Sequence, residues 1–147
     1  VKTDTAPSMM IAALKDPNGG NLDRIQVVKG WVDASGNVQN KIYNVAWSEP
    51  QNRKLDDKGL LPAVGNSVDI KQASYTNNIG ASELYTVWKD PDFNPTLPAF
   101  YYVRVLEIPT PRWSTYDAKS LGIAPPKDFP ATIQERAWSS PIWYSPK

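Results

Sequence analysis

Apolar positions recur every second residue along much of this chain, and the longest such stretch lies in residues 99–117, AFYYVRVLEIPTPRWSTYD. Phe100, Tyr102, Leu106 and Ile108 share one side with Arg104. Ala99, Tyr101, Val103 and Val105 share the other, which ends at Glu107. Both sides are largely apolar, the pattern of a central strand covered on both faces. Pro109 and Pro111 lack the N–H that a ladder needs, so the strand is predicted to stop there. Residues 112–117 then read as a polar and aromatic loop.

The other elements follow from the same period. Residues 8–14, SMMIAAL, form a short apolar run that reads as a buried strand stopped by Asp16-Pro17-Asn18-Gly19-Gly20. Residues 22–33 and 38–48 read as a hairpin. A three-residue loop, Ala34-Ser35-Gly36, with Gly36 left-handed, would pair Val27 with Tyr43, Ile25 with Val45 and Lys29 with Lys41. Residues 49–66 show no sustained period and read as a long loop. Residues 67–75 are predicted to be a strand with Val68 and Ile70 inward. Residues 83–89 are predicted to be another, with Leu84 and Trp88 on one face and Tyr85 and Val87 on the other. Residues 132–139 close the set, followed by an apolar tail, Pro141-Ile142-Trp143-Tyr144. About seven strands with long Pro- and Gly-rich connections and almost no helical pattern predict an all-β antiparallel β-sandwich.

The chain has 147 residues, enough for one domain with a real core, and residues 1–147 read as a single unit in which 1–7 form a tether. Sixteen basic residues against 15 acidic ones, scattered singly, give no basic patch for nucleic acid or a membrane surface. No apolar run approaches the roughly 20 residues that span a bilayer. The first ten residues lack the basic and apolar regions of a signal peptide and an initiator Met, and read as a cut or processed end. Cysteine and histidine are both absent from the sequence, which removes thiolate chemistry and the side chain best suited to proton transfer near neutral pH. This composition argues against self-contained catalysis, and no catalytic residue, metal ligand or cofactor is assigned.

Some constellations have two readings. Asp16-Pro17-Asn18 and Asp90-Pro91-Asp92 offer oxygen ligands as a calcium loop would, but without EF-hand spacing, so turn chemistry is preferred. Trp31, Trp47 and Trp88 fall on strand positions and read as core. Arg112, Trp113, Tyr116, Asp117 and Trp143 lie outside the regular pattern and are the candidates for ligand or interdomain contact, with burial under another domain preferred. Arg104 on an apolar face needs a partner, and a structural ion pair to Glu83, Glu135 or Asp69 is expected.

IQVVKGWVD, VGNSVDI, ASYTNNIGASELYTVWKDPDFNP, PAFYYVRVLEIPTPRWSTYDA and TIQERAWSSPIWY resemble the C-terminal part of the bacterial domain-of-unknown-function family numbered 3604. Members are several times longer than this chain. Their N-terminal portion is similar to the polymerase-and-histidinol-phosphatase (PHP) class of metal-dependent phosphoesterases, with a GDLHxHT-like motif. A chain without histidine carries none of that motif. The resemblance therefore implies a non-catalytic β-domain that packs on its own N-terminal hydrolase domain, where a divalent metal would sit, and a periplasmic or envelope location. The alternative is a ligand- or glycan-binding module.

Overall fold

A computed structural model describes residues 5–146. Seven strands and one helix follow in the order β1 (Ser8–Leu14), β2 (Leu22–Val32), β3 (Val38–Trp47), β4 (Glu83–Lys89), β5 (Ala99–Pro111), α1 (Trp113–Leu121), β6 (Thr132–Trp138) and β7 (Ile142–Tyr144). They form two antiparallel sheets of unequal size: β1 with β4, and β3-β2-β5-β6 with β7 also on β5. The predicted all-β sandwich-like architecture holds.

The core lies between the layers. Ile25, Val27 and Tyr101 are 0–1% exposed and meet Ile11 and Leu84 of the small sheet. Strand alternation turns Ile25, Val27, Lys29 and Trp31 toward that sheet, with Ala99, Tyr101, Val103 and Val105 beside them. The opposite side of the large sheet, with Gln26, Val28, Phe100, Tyr102 and Arg104, has no second sheet over it among the described residues. The strand β5 is thus interior to its sheet, but among the described residues only one of its faces packs on another sheet.

The hairpin keeps the predicted register at Val27↔Tyr43 and Lys29↔Lys41, with Gly36 at φ 84°. Ile25 pairs with Ala46 instead of Val45, because a bulge between Ile25 and Gln26 absorbs one residue of β3. The segment read as a tether is described only from Thr5 onward, and residues 1–4 lie outside the described residues.

Four expectations are corrected. The strand β5 continues through both prolines, pairing Pro109 with Gln134 and Pro111 with Thr132. Pairing with β2 ends at Glu107, so residues 109–111 have only β6 beside them, and an edge position tolerates proline. Ile108 still donates to Asn21 and Arg112 to Ala131. Residues 113–121 are helix, not loop, ending at Gly122 in the left-handed conformation (φ 66°). Residues 67–75 are not a strand: a single Asp69↔Ser74 bridge closes a turn, and Ile70 is exposed. There the Asn66 and Asp69 carbonyl and carboxylate oxygens accept the N–H groups of Val68 and Gln72, side chains that compete with a ladder. Finally, β1 is buried on one face only, with Met10 88% and Leu14 77% exposed.

Candidate functional site

The five sequence-derived contact residues do not form one site. Arg112 precedes α1 and donates from Nε to the Pro130 carbonyl at 2.9 Å. Trp113 is exposed with its ring 5.8 Å from that of Tyr116, and Asp117 is exposed on the next turn. Trp143 is exposed too, but it pairs with Phe100, its ring 5.2 Å away, at the opposite end of β5. At roughly 3.3 Å per residue the two groups stand about 40 Å apart along the strand.

Arg104 has no carboxylate partner among the described residues. Its Nε and Nη2 donate to Gln26 Oε1 at 2.8 and 2.6 Å, and Gln26 passes the chain on to Asn44 Oδ1 at 2.8 Å. The three residues share one transverse row of the large sheet, on the face away from the small sheet, where Arg104 is only partly buried and a neutral acceptor suffices.

Charge inside the sandwich comes from elsewhere. Lys29, 4% exposed, points into the core and donates to Asp90 Oδ2 (2.6 Å) and to the Asp92 carbonyl (2.7 Å), while the Tyr101 hydroxyl donates to the same Asp90 oxygen. This ties the turn after β4 to β2. A second knot joins Asp23, which is 0% exposed, to Arg53, whose Nη2 donates to Asp23 Oδ1 at 2.7 Å. Arg53 also donates to the Pro62 and Ser48 carbonyls and to Ser48 Oγ, pinning the loop of residues 49–66 against the sheet.

Both Asp-Pro motifs are turns. Asp16 Oδ1 accepts the Asn18 N–H and Asp90 Oδ1 the Asp92 N–H. No group of three or more metal-ligating side chains occurs among the described residues. No helix among them is long and apolar enough to cross a membrane.

Two surfaces remain with a chemical character of their own. On the outer face of the small sheet Met10 pairs with Val87, and Ala12 with Tyr85, beside Leu14. Met10, Leu14, Tyr85 and Val87 are each more than 70% exposed. Where β3 borders the turn after β4, a cavity of about 360 Å³ is lined by Lys41, Tyr43, Asn44, Lys58, Trp88 and Asp92. There Asp92 Oδ2 accepts from Lys41 Nζ and from the Tyr43 hydroxyl. Those bonds, Lys41's first, hold the Asp92 carboxyl below its ordinary range, while burial first and the Asp92 bond second push the Tyr43 phenol far up.

The fold and these surfaces define a lopsided two-layer antiparallel β-module with one apolar outer face and one polar cleft. Residues 1–146 match the family described as Protein of unknown function (DUF3604), and the chain belongs to that family. No curated protein and no solved structure matches it.

Proposed function

We propose that this chain is a non-catalytic β-module that packs on and supports a metal-dependent, PHP-like hydrolase domain of the same polypeptide, in an exported protein. The observation that carries the reading is the outer face of β1 and β4. A strand apolar on both sides, such as SMMIAAL, belongs in a protein between two layers. Here only Met9, Ile11 and Ala13 pack inward, and Met10, Leu14, Tyr85 and Val87 form a contiguous apolar patch in water. Patches of this kind mark interfaces. Burying side chains of this size yields about 1.5–3 kcal/mol each, enough together to seat a domain already tethered nearby. A domain placed ahead of β1 would be joined directly to a strand that forms half of this face.

The test is a full-length polypeptide carrying Val87→Lys with Met10→Lys. The reading expects the two parts to separate under limited proteolysis and the hydrolase part to lose thermal stability, while the 147-residue chain alone keeps its fold and has no metal-dependent phosphoesterase activity. Chelation-resistant activity in this chain alone, or an unchanged proteolysis pattern in the variant, refutes it.

A further inference from the structure

The cleft beside β3 is a different kind of surface from the outer face of the small sheet, and its chemistry selects a ligand. We propose that it is a binding site for a neutral saccharide.

The first argument is charge. Its charged lining consists of Lys41, Lys58, Asp57 and Asp92, two of each sign. Lys41 is further engaged by Asp92 and lies 4.9 Å over the Tyr43 ring. A phosphate or other anion finds no net positive field here, and a cation no net negative one. A neutral ligand has no such handicap.

The second argument is the mixture of surfaces. Ile42, Leu55, Trp88 and Pro91 give the cavity apolar walls, set beside polar groups that still have capacity. Asp92 uses Oδ2 for both of its side-chain partners, which leaves Oδ1 as an acceptor, and Lys41 donates one of its three N–H bonds there. An ammonium and a carboxylate held side by side match a pair of neighbouring hydroxyls, one accepting and one donating. The apolar wall suits the C–H face of a sugar ring. A purely apolar ligand would leave the polar groups desolvated and unpaired, which is costly.

The third argument is construction. The far wall is the turn of residues 56–60, shaped by Asp56 Oδ1, which accepts the Lys58 and Leu60 N–H groups. Asn44 Nδ2 holds that turn through the Gly59 carbonyl at 3.1 Å. Asn44 is itself fixed by Gln26, and Gln26 by Arg104. The transverse row on the face away from the small sheet thus sets the width of the cleft. Among the described residues β3 has only β2 as a sheet neighbour, so outward backbone groups of its free edge add donors and acceptors along one side.

The experiment is NMR titration of the 147-residue chain with cellotetraose, chitotetraose and maltotetraose, and with an oligogalacturonate as the charged control. The proposal expects at least one neutral probe to saturate, with shift changes centred on Tyr43, Asn44 and Trp88. Asp92→Asn and Lys41→Gln, both half-exposed positions, should keep the spectrum of a folded chain and weaken that binding about tenfold or more, while Trp143→Ala leaves it unchanged. Any of four results overturns it: no neutral probe saturating by about 10 mM, ten times a millimolar dissociation constant; shifts centred on Phe100 and Trp143; full affinity in Asp92→Asn; or binding only by the charged control, abolished by salt.

Discussion

Replacing Arg53 by Met tests whether the loop of residues 49–66 belongs to the fold or merely decorates it. Arg53 is 5% exposed and Asp23 0%, and the guanidinium has five hydrogen bonds: two to the Pro62 carbonyl, two to Ser48 and one to Asp23. Breaking a buried pair by removing one partner costs about 3–5 kcal/mol, because the other charge stays buried. Asp23 keeps two donors, Arg24 Nε and Gln134 Nε2, both at 2.9 Å, which moves the expectation to the low end, about 3 kcal/mol. With a urea slope of about 1.5 kcal/mol per molar, the midpoint should fall by about 2 M. Asp23→Asn strands the arginine instead and should cost a similar amount. The double variant should cost clearly less than the sum, the coupling that a shared network produces. Trp47, whose indole donates to the Arg53 carbonyl at 2.7 Å, reports on the loop by hydrogen exchange. Either single variant costing under about 1 kcal/mol, or strict additivity, would show that the knot contributes little.

Three further outcomes are expected. Gly36→Ala should destabilise by about 1 kcal/mol in urea, since φ is 84° although nothing lies within 4 Å of the added carbon; a neutral result would mean that the loop relaxes to another turn. Gly30→Ala should cost more, about 1–3 kcal/mol, because its Cβ would stand 2.4 Å from the Phe100 ring, and Phe100→Leu in the same background should recover part of the loss. Glu107→Gln should stabilise at neutral pH: burial, ahead of the repulsion from Glu135 and Asp16, raises this carboxyl above its ordinary range. A raised folded pKa means the fold prefers the proton, so the stability is present in acid and is lost as pH rises past the unfolded value through the folded one. The advantage of Gln should therefore vanish on acidification, and a stability gain independent of pH would contradict this account.

The hairpin was legible because its information is local: alternating apolar arms, a loop of fixed length and a glycine where φ must be positive. The interior place of β5 was legible from its composition, but the cover of its second face was not, since that depends on what else is present. The helix α1 escaped because Arg112 offers no side-chain cap and Trp-Ser-Thr-Tyr-Asp are weak helix formers. Its one readable sign was Gly122 after a turn carrying Lys119. The rule that an inward charge needs a partner was sound but was applied to Arg104, which lies half-buried on the face away from the small sheet and is held by Gln26. The period that puts Val27 and Trp31 inward also puts Lys29 there, and that residue does have the buried carboxylate. Asp23–Arg53 and the cleft were beyond reach, because they join residues 30 and 49 positions apart across the loop of residues 49–66, which has no pattern.

The two sheets differ in how many neighbours hold each strand in place. The nearest pairs of β1–β4 and of β2–β5, Leu14↔Glu83 and Trp31↔Ala99, both join residues about seventy positions apart, but β2 also holds β3 across a five-residue turn and β5 holds β6 and β7, whereas β1 and β4 pair with each other alone among the described residues. Pairings of long sequence separation form late, because loop closure must precede their reward. The small sheet has just two strands, so fewer ladder hydrogen bonds hold it together than hold the five-stranded sheet. Amide exchange should find it opening at a lower free energy than the β2–β5 ladder. Whatever covers Met10, Leu14, Tyr85 and Val87 would then act as a clasp, closing last and keeping the whole sandwich shut by mass action.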